Sequence, residues 1–185
     1  VLSAATIMIA DGVLNLAGGS IEASGISISS GATLLGFGTV VPAVNSAGSI
    51  AASGGSLDLA GGLAAPAALT IDTAAALELA GPDSGNVTFA GTSGIFTLDD
   101  PAGFTGTIAG LAIGDTLVLG SVHATGASIT NFDSATDTST LAVTTASSGT
   151  LHFTLAGDYA GESFGTNVTG TSSQVAAVGA AVGEI

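Results

Sequence analysis

The 185-residue chain contains no lysine and no arginine, against fourteen aspartates and glutamates. Its formal charge is -14 at pH 7, and only His123 and His152 can become cationic. A chain so built has nothing with which to grip phosphate, which argues against nucleic acid, nucleotides and anionic membranes as partners. Ordinary salt bridges are excluded too, so the fold must rest on apolar packing and backbone hydrogen bonds. Cysteine is absent as well, which rules out disulfide frameworks, thiolate metal sites and cysteine nucleophiles. There is no tryptophan, one tyrosine and seven phenylalanines, so the apolar content is carried by Ala, Leu, Ile and Val. Long hydrophobic runs are missing: the most apolar stretches, residues 1–10 and 175–182, are too short to span a bilayer, and membrane insertion is not expected. Glycine is plentiful but lacks the every-third-residue spacing of collagen. The start at Val1, without a basic leader, reads as a mature form or a fragment.

What is present is repetition. Short apolar-x-apolar cores recur at Leu14-Asn15-Leu16, Leu34-Leu35, Leu57-Asp58-Leu59, Leu77-Glu78-Leu79, Phe96-Thr97-Leu98 and Leu117-Val118-Leu119. Taken at Leu14, Leu34, Leu57, Leu77, Leu98 and Leu117, they are 20, 23, 20, 21 and 19 residues apart. Longer text repeats too, with Leu-Asn-Leu-Ala-Gly-Gly at 14–19 and Leu-Asp-Leu-Ala-Gly-Gly at 57–62. Within a period the alternation is two-fold, as in Ile26-Ser27-Ile28 and Leu69-Thr70-Ile71, which is the pattern of a half-buried strand. Gly-Gly, Ser-Gly and Pro-Asp-Ser-Gly punctuate the strands as turns.

Coils of about 20 residues, each with too few apolar side chains to stand alone, are expected to stack into a right-handed parallel β-solenoid, an all-β fold. About nine coils at roughly 4.8 Å per strand would make a rod of roughly 40–45 Å. The competing architecture is an antiparallel sandwich. The period loosens from Thr105, and residues 128–132, 140–144 and 150–155 read as successive hairpin strands. The expected organisation is therefore a solenoid body over 1–104, a modified β region continuous with it over 105–174, and a tail or cap over 175–185. Residues 174–182 are the only candidate for a short helix.

Two stretches carry a family resemblance. Residues 31–82, from Gly-Ala-Thr-Leu-Leu-Gly-Phe-Gly through Gly-Gly-Ser-Leu-Asp-Leu-Ala-Gly-Gly to Leu-Glu-Leu-Ala-Gly, resemble the β-strand repeats of autotransporter passengers. Residues 87–160 resemble a module of very large secreted proteins of α-proteobacteria. The text that carries this is Phe-Thr-Leu-Asp-Asp-Pro-Ala-Gly-Phe-Thr-Gly-Thr-Ile-Ala-Gly-Leu at 96–111, Gly-Asp-Thr-Leu-Val-Leu at 114–119 and Leu-His-Phe-Thr-Leu-Ala-Gly-Asp-Tyr-Ala at 151–160. The resemblance implies a secreted, cell-surface β-solenoid of the kind that builds adhesin stalks, surface layers or matrix filaments. No barrel segment follows in this sequence, and the Gly-Gly-x-Gly-x-Asp calcium repeat is absent.

Candidate chemistry is confined to carboxylates. In the repeat register Asp58 and Glu78 take the middle position of adjacent strands, where like charges about 4.8 Å apart must bind a proton, hold a cation or splay into solvent. Asp99 and Asp100, joined one coil later by Asp115, form a second acidic focus. These five residues are the candidate Ca²⁺ ligands, although no cofactor is required. Asn131, Asp133 and Asp137 make a third oxygen-rich loop, whose simpler role is turn formation. Polysaccharide-cleaving β-helix enzymes use acid pairs, but lyases of that shape also need a cation that this chain lacks, and no catalytic residues are assigned. His123 and His152 read as ordinary surface or core-edge histidines.

The expected function is therefore structural: an extracellular solenoid associating end to end with itself, or joined to adjacent modules of a longer chain. Uncharged, strand-forming ends would supply the interface through Val1, Leu2, Ile7, Ile9, Val175, Val178, Val182 and Ile185. The alternatives are an adhesin module holding glycan or Ca²⁺ and, further off, a glycan-active enzyme.

Overall fold

Alternating apolar and polar residues between glycine turns give strands and nothing else. In a computed structural model, which describes residues 2–180 (side chains 5–179), every regular element is a β-strand. The first coils comprise β1 (Leu2–Ala4), β2 (Ile7–Ile9), β3 (Val13–Ala23), β4 (Ile26–Ile28), β5 (Thr33–Val40), β6 (Val44–Ser46) and β7 (Ser49–Leu59). The solenoid continues through β8 (Ala68–Ile71), β9 (Ala76–Leu79), β10 (Asn86–Phe89), β11 (Ile95–Leu98), β12 (Thr107–Ala109) and β13 (Thr116–Leu119). Five strands follow: β14 (Ala124–Asp133), β15 (Thr138–Thr145), β16 (Thr150–Ala156), β17 (Glu162–Thr169) and β18 (Ser172–Ala180).

Every strand up to β13 pairs in parallel with a strand of a neighbouring coil, which makes a parallel β-solenoid of about 6 coils. Three ladders run along it. One carries the inward column Leu14, Leu34, Ile50, Leu69, Val87, Ile108 and Leu155. A second carries Leu57, Leu77, Phe96 and Leu117, spaced 20, 19 and 21 residues apart. A short third ladder, β2-β4-β6, extends to Leu63 through a single bridge to Val44. The columns meet in one apolar core. Phe96 and Phe104 pack in it edge to face, with ring centroids 5.5 Å apart, a favoured aromatic geometry. Stacking demands close backbone approach. Gly36, at φ 124° in the left-handed region, lies where a Cβ would overlap the Leu16 carbonyl oxygen of the preceding coil.

Four expectations need correction. The coils number about six rather than nine, because the last third of the chain goes into antiparallel strands. The parallel body runs one coil further than residue 104, through β12 and β13. Leu14 and Leu34 do not stack over Leu57: Leu34 pairs with Ile50, on a different face from the Leu57 column. All faces of a coil share the same in-out alternation, so similar text serves on any of them, and turn lengths decide which. Finally, residues 174–180 continue β18 as strand rather than helix; Val182 lies outside the described residues. The β-branched and small residues of Ser-Ser-Gln-Val-Ala-Ala-Val suit an extended chain, and β17 and β13 supply partners on both sides.

The hairpin strands foreseen around residues 128–155 are present as β14, β15 and β16, and they are antiparallel. Together with β17 and β18 they bridge the two long ladders in the order β12-β16-β15-β14-β17-β18-β13. Both ladder ends at this pole are thereby occupied by the chain itself.

Candidate functional site

The acidic residues singled out from the sequence separate into two environments. Asp58 and Glu78 are direct ladder partners on the outside of the second ladder, and the exposed Asp99 follows Leu98 on the next coil. Burial, the nearby Asp99 charge and an opposing hydrogen bond from Thr39 leave Asp58 above its ordinary 3.8. Glu78 is raised by burial and then by Asp58 and Asp99. With no lysine or arginine in the chain, nothing neutralises this row.

Asp100 and Asp115 serve as backbone ties. Asp100 Oδ1 accepts the Gly103 N–H across its own turn at 3.2 Å. Asp115 has no exposed surface, and its two oxygens accept Gly94 N–H at 2.8 Å and Ala112 N–H at 3.0 Å. It sits before β13, whereas Asp99 sits after β11, so the two lie at opposite ends of paired strands rather than in one focus. Among the described residues no three His, Asp or Glu side chains gather closely enough to hold a metal ion. Asp133, at the β14–β15 hairpin tip, accepts the Ala135 N–H at 2.9 Å, and hydrogen bonds hold its pKa down. His123 and His152 are both exposed.

Of the buried polar residues that escaped sequence reasoning, three stand out. Asp83 occupies an inward position at 5% exposure, its Oδ2 without a hydrogen-bond partner among the described residues. Its backbone bonds to Gly103 and Thr105 of the next coil. Burial pushes its carboxyl up to about 6, against a hydrogen bond from the Leu63 backbone. Ser173 Oγ accepts Ala124 N–H and donates to Val122 O, both at 2.8 Å, pinning β18 to the start of β14. Ser139 Oγ donates to Gly157 O and accepts Tyr159 N–H, both at 2.9 Å. The in-out alternation of Asp83, Gly85, Val87 and Phe89 is the one signal that marks Asp83 as inward. For the serines no signal exists, since serine is scattered throughout the sequence.

The remaining candidates were the termini, and they differ. At the N-terminal pole the outer edges of β1, β2 and residues 13–17 have no partner strand among the described residues. Leu14 and Leu16 are half-buried there, while Leu34 in the next coil is fully buried. Ile7 is half-buried and Ile9 is 7% exposed, and both pair with β4. Leu2 pairs with Ile21. Met8 and Val13 stand out at 71% and 63% exposure. At the other pole Val175 has no exposed surface and pairs with Leu117, so it belongs to the chain's own core rather than to a surface offered to another subunit. Val178 is exposed. Val1, Val182 and Ile185 lie outside the described residues. The head-to-tail stacking expected from the sequence needs an open edge at both poles, and here the two long ladders are closed at the C-terminal one.

A groove of about 410 Å³ lies where the last coil meets the closing strands, lined by Leu111, Ile113 and Tyr159 with Asp158 and Glu162 beside them. Burial raises the Tyr159 hydroxyl, with Asp115 and Glu162 adding to it and a Leu111 backbone hydrogen bond opposing. No protein-family model, curated protein or solved structure matches this chain. No helix among the described residues is long and apolar enough to cross a membrane.

Proposed function

We propose that the protein is a structural β-solenoid of the cell exterior, a rod whose N-terminal ladder edge is covered in larger assemblies, by an adjacent module of a longer chain or by another subunit. The observation that carries this reading is the difference between the poles: among the described residues one presents uncharged strand edges without a partner strand, and at the other β16 and β18 cover the ends of the two long ladders. Unpaired edges are pairing templates, and solenoids that remain monomeric blunt them with charge, proline or a covering element. A chain without lysine or arginine offers no site to trypsin-like proteases, which suits an extracellular role. Negative-stain electron microscopy with light scattering on the purified chain tests the reading. End-joined rods are expected, and isolated rods at every concentration would count against it.

A glycan-binding module is the second reading, favoured by the Tyr159 groove with its two neighbouring carboxylates. Aromatic faces flanked by acidic hydrogen-bond acceptors suit sugar hydroxyls. Titration with neutral oligosaccharides, followed by tyrosine fluorescence, should show saturable quenching that Tyr159→Ala abolishes; no quenching sinks this reading.

A further inference from the structure

The loop between β16 and β17, residues 157–161, belongs to no strand, yet its backbone is tied down. Gly157 N–H donates to Asp137 O at 2.8 Å, and Tyr159 N–H donates to the buried Ser139 Oγ at 2.9 Å. Ala160 N–H donates to Asp158 Oδ1 at 2.8 Å, and Glu162 N–H to Tyr159 O at 3.0 Å. With these donors fixed, the side chains of the loop are set in place before a ligand arrives, which lowers the ordering cost of binding. Two grooves border the loop. One is the Tyr159 groove with its apolar wall of Leu111 and Ile113. The other, of about 350 Å³, is lined by Ser128, Asn131, Phe132 and Glu162 among others. Each groove therefore has one aromatic residue in its lining, and the half-buried Glu162 lines both. Neighbouring grooves of this kind suit a chain of linked sugar rings, whose apolar C–H faces lie on aromatic surfaces while their polar groups meet a few placed acceptors.

Charge then selects among glycans. Asp158 and Glu162 stand beside Tyr159, and the chain has no lysine or arginine to neutralise them or to clasp an acidic sugar. A sugar bearing carboxylate or sulfate is repelled by this site and by the net charge of -14. A neutral sugar gains ordinary hydrogen bonds. A sugar bearing a protonated amine gains more, because hydrogen bonds from an ammonium to a carboxylate are roughly twice as strong as neutral ones. A cation held near the face of a tyrosine ring is attracted by the ring as well.

We propose that the two grooves together bind a cationic glycan, a chain of amino sugars with free amines, whose ammonium groups meet Glu162 and Asp158 while its rings lie on Tyr159 and Phe132. This rests on the glycan-binding reading and names its ligand class.

The test titrates the full chain with two hexasaccharides of one backbone, glucosamine with free amines and its neutral N-acetylated form. Tyrosine fluorescence follows binding at about pH 5.5, in about 0.15 M salt to screen long-range attraction. The amine form should bind about tenfold or more tighter than the acetylated form, and should lose that advantage at about pH 8.5, where its amines are neutral. Glu162→Gln, with an unchanged melting temperature, should remove most of the preference, whereas Asp11→Asn in the first coil should leave it intact. Equal weakening by the two variants, or equally tight binding of a lysine hexapeptide, would mean diffuse attraction to an acidic surface and would overturn the proposal. Equal binding of the two sugars would overturn the amine preference while leaving the glycan reading in place. No binding of either would overturn both.

Discussion

The two poles of this rod are made from the same ladders and end in opposite ways. At the N-terminal pole the strands are parallel and nearly uncharged, and their outer edges have no partner strand among the described residues. At the C-terminal pole the chain reverses direction, and β14–β18 fold back to occupy the edges of β12 and β13. The difference follows from what a parallel coil is able to do. Each turn covers the previous edge and exposes an identical new one, so a purely parallel solenoid never terminates itself. A change to antiparallel hairpins lets the chain return across its own end, satisfy the backbone groups there and remove a pairing template. Two buried serines then fasten the return strands in place of salt bridges, for which the chain has no cations.

The sharpest way to break this contrast is to unpick the closed pole. Val175→Asp puts a carboxylate into the core opposite Leu117 and should cost about 4 kcal/mol. Denaturant unfolding measures the loss, and scattering should reveal new association once β13 loses its cover. A milder comparison uses the two ends of a single column. Leu155→Ala at the closed end, where the side chain is fully buried, should cost about 3 kcal/mol, against about 1 kcal/mol for the half-buried Leu14→Ala at the open end. Equal losses would mean that the open end is covered in solution.

The pH response concerns the middle of the rod. Asp83 is raised to about 6 by burial. Its contribution is therefore fully present below its unfolded value near 3.8 and is lost as pH rises through about 6. Asp83→Asn should stabilise the protein at pH 7.5 by on the order of 1–2 kcal/mol, allowing for water that reaches the carboxyl, and by nothing at pH 3. Melting curves at the two pH values read this directly. The smallest effect belongs to the exposed row. Glu78 is raised by burial, Asp58 and Asp99, so the row also favours acid, and Glu78→Gln should gain a few tenths of a kcal/mol at neutral pH. A larger gain on adding millimolar Ca²⁺ to the unmodified protein would mean that a cation bridges Asp58 and Glu78.

Much of this was readable in the residues themselves. The 20-residue recurrence, the two-fold alternation and the glycine punctuation led to a parallel solenoid, and Leu57-Asp58-Leu59 above Leu77-Glu78-Leu79 located a true ladder pair. The hairpins after residue 124 were legible because Thr-rich alternation continued without the period. What misled was text similarity across faces: Leu14-Asn15-Leu16 looks like Leu57-Asp58-Leu59, yet the two lie on different sides of the coil. Asp115, grouped with Asp99 and Asp100 by composition, proved to be a buried tie between Gly94 and Ala112, since proximity in sequence carries no information about which way a turn faces.

Local chemistry alone, then, determined that this protein is all strand, repeats in coils, lacks ion pairs and concentrates its charge away from its first third. Those properties depend on residue type and short-range periodicity, which any single stretch of the sequence displays. The tertiary structure alone decided which face each repeat occupies, which carboxylates are buried, and that the C-terminal pole is closed by the chain's own strands. Those outcomes depend on strand direction and on pairing between residues such as Ala124 and Ser173, 49 positions apart, and such pairing exists only once the chain has wound.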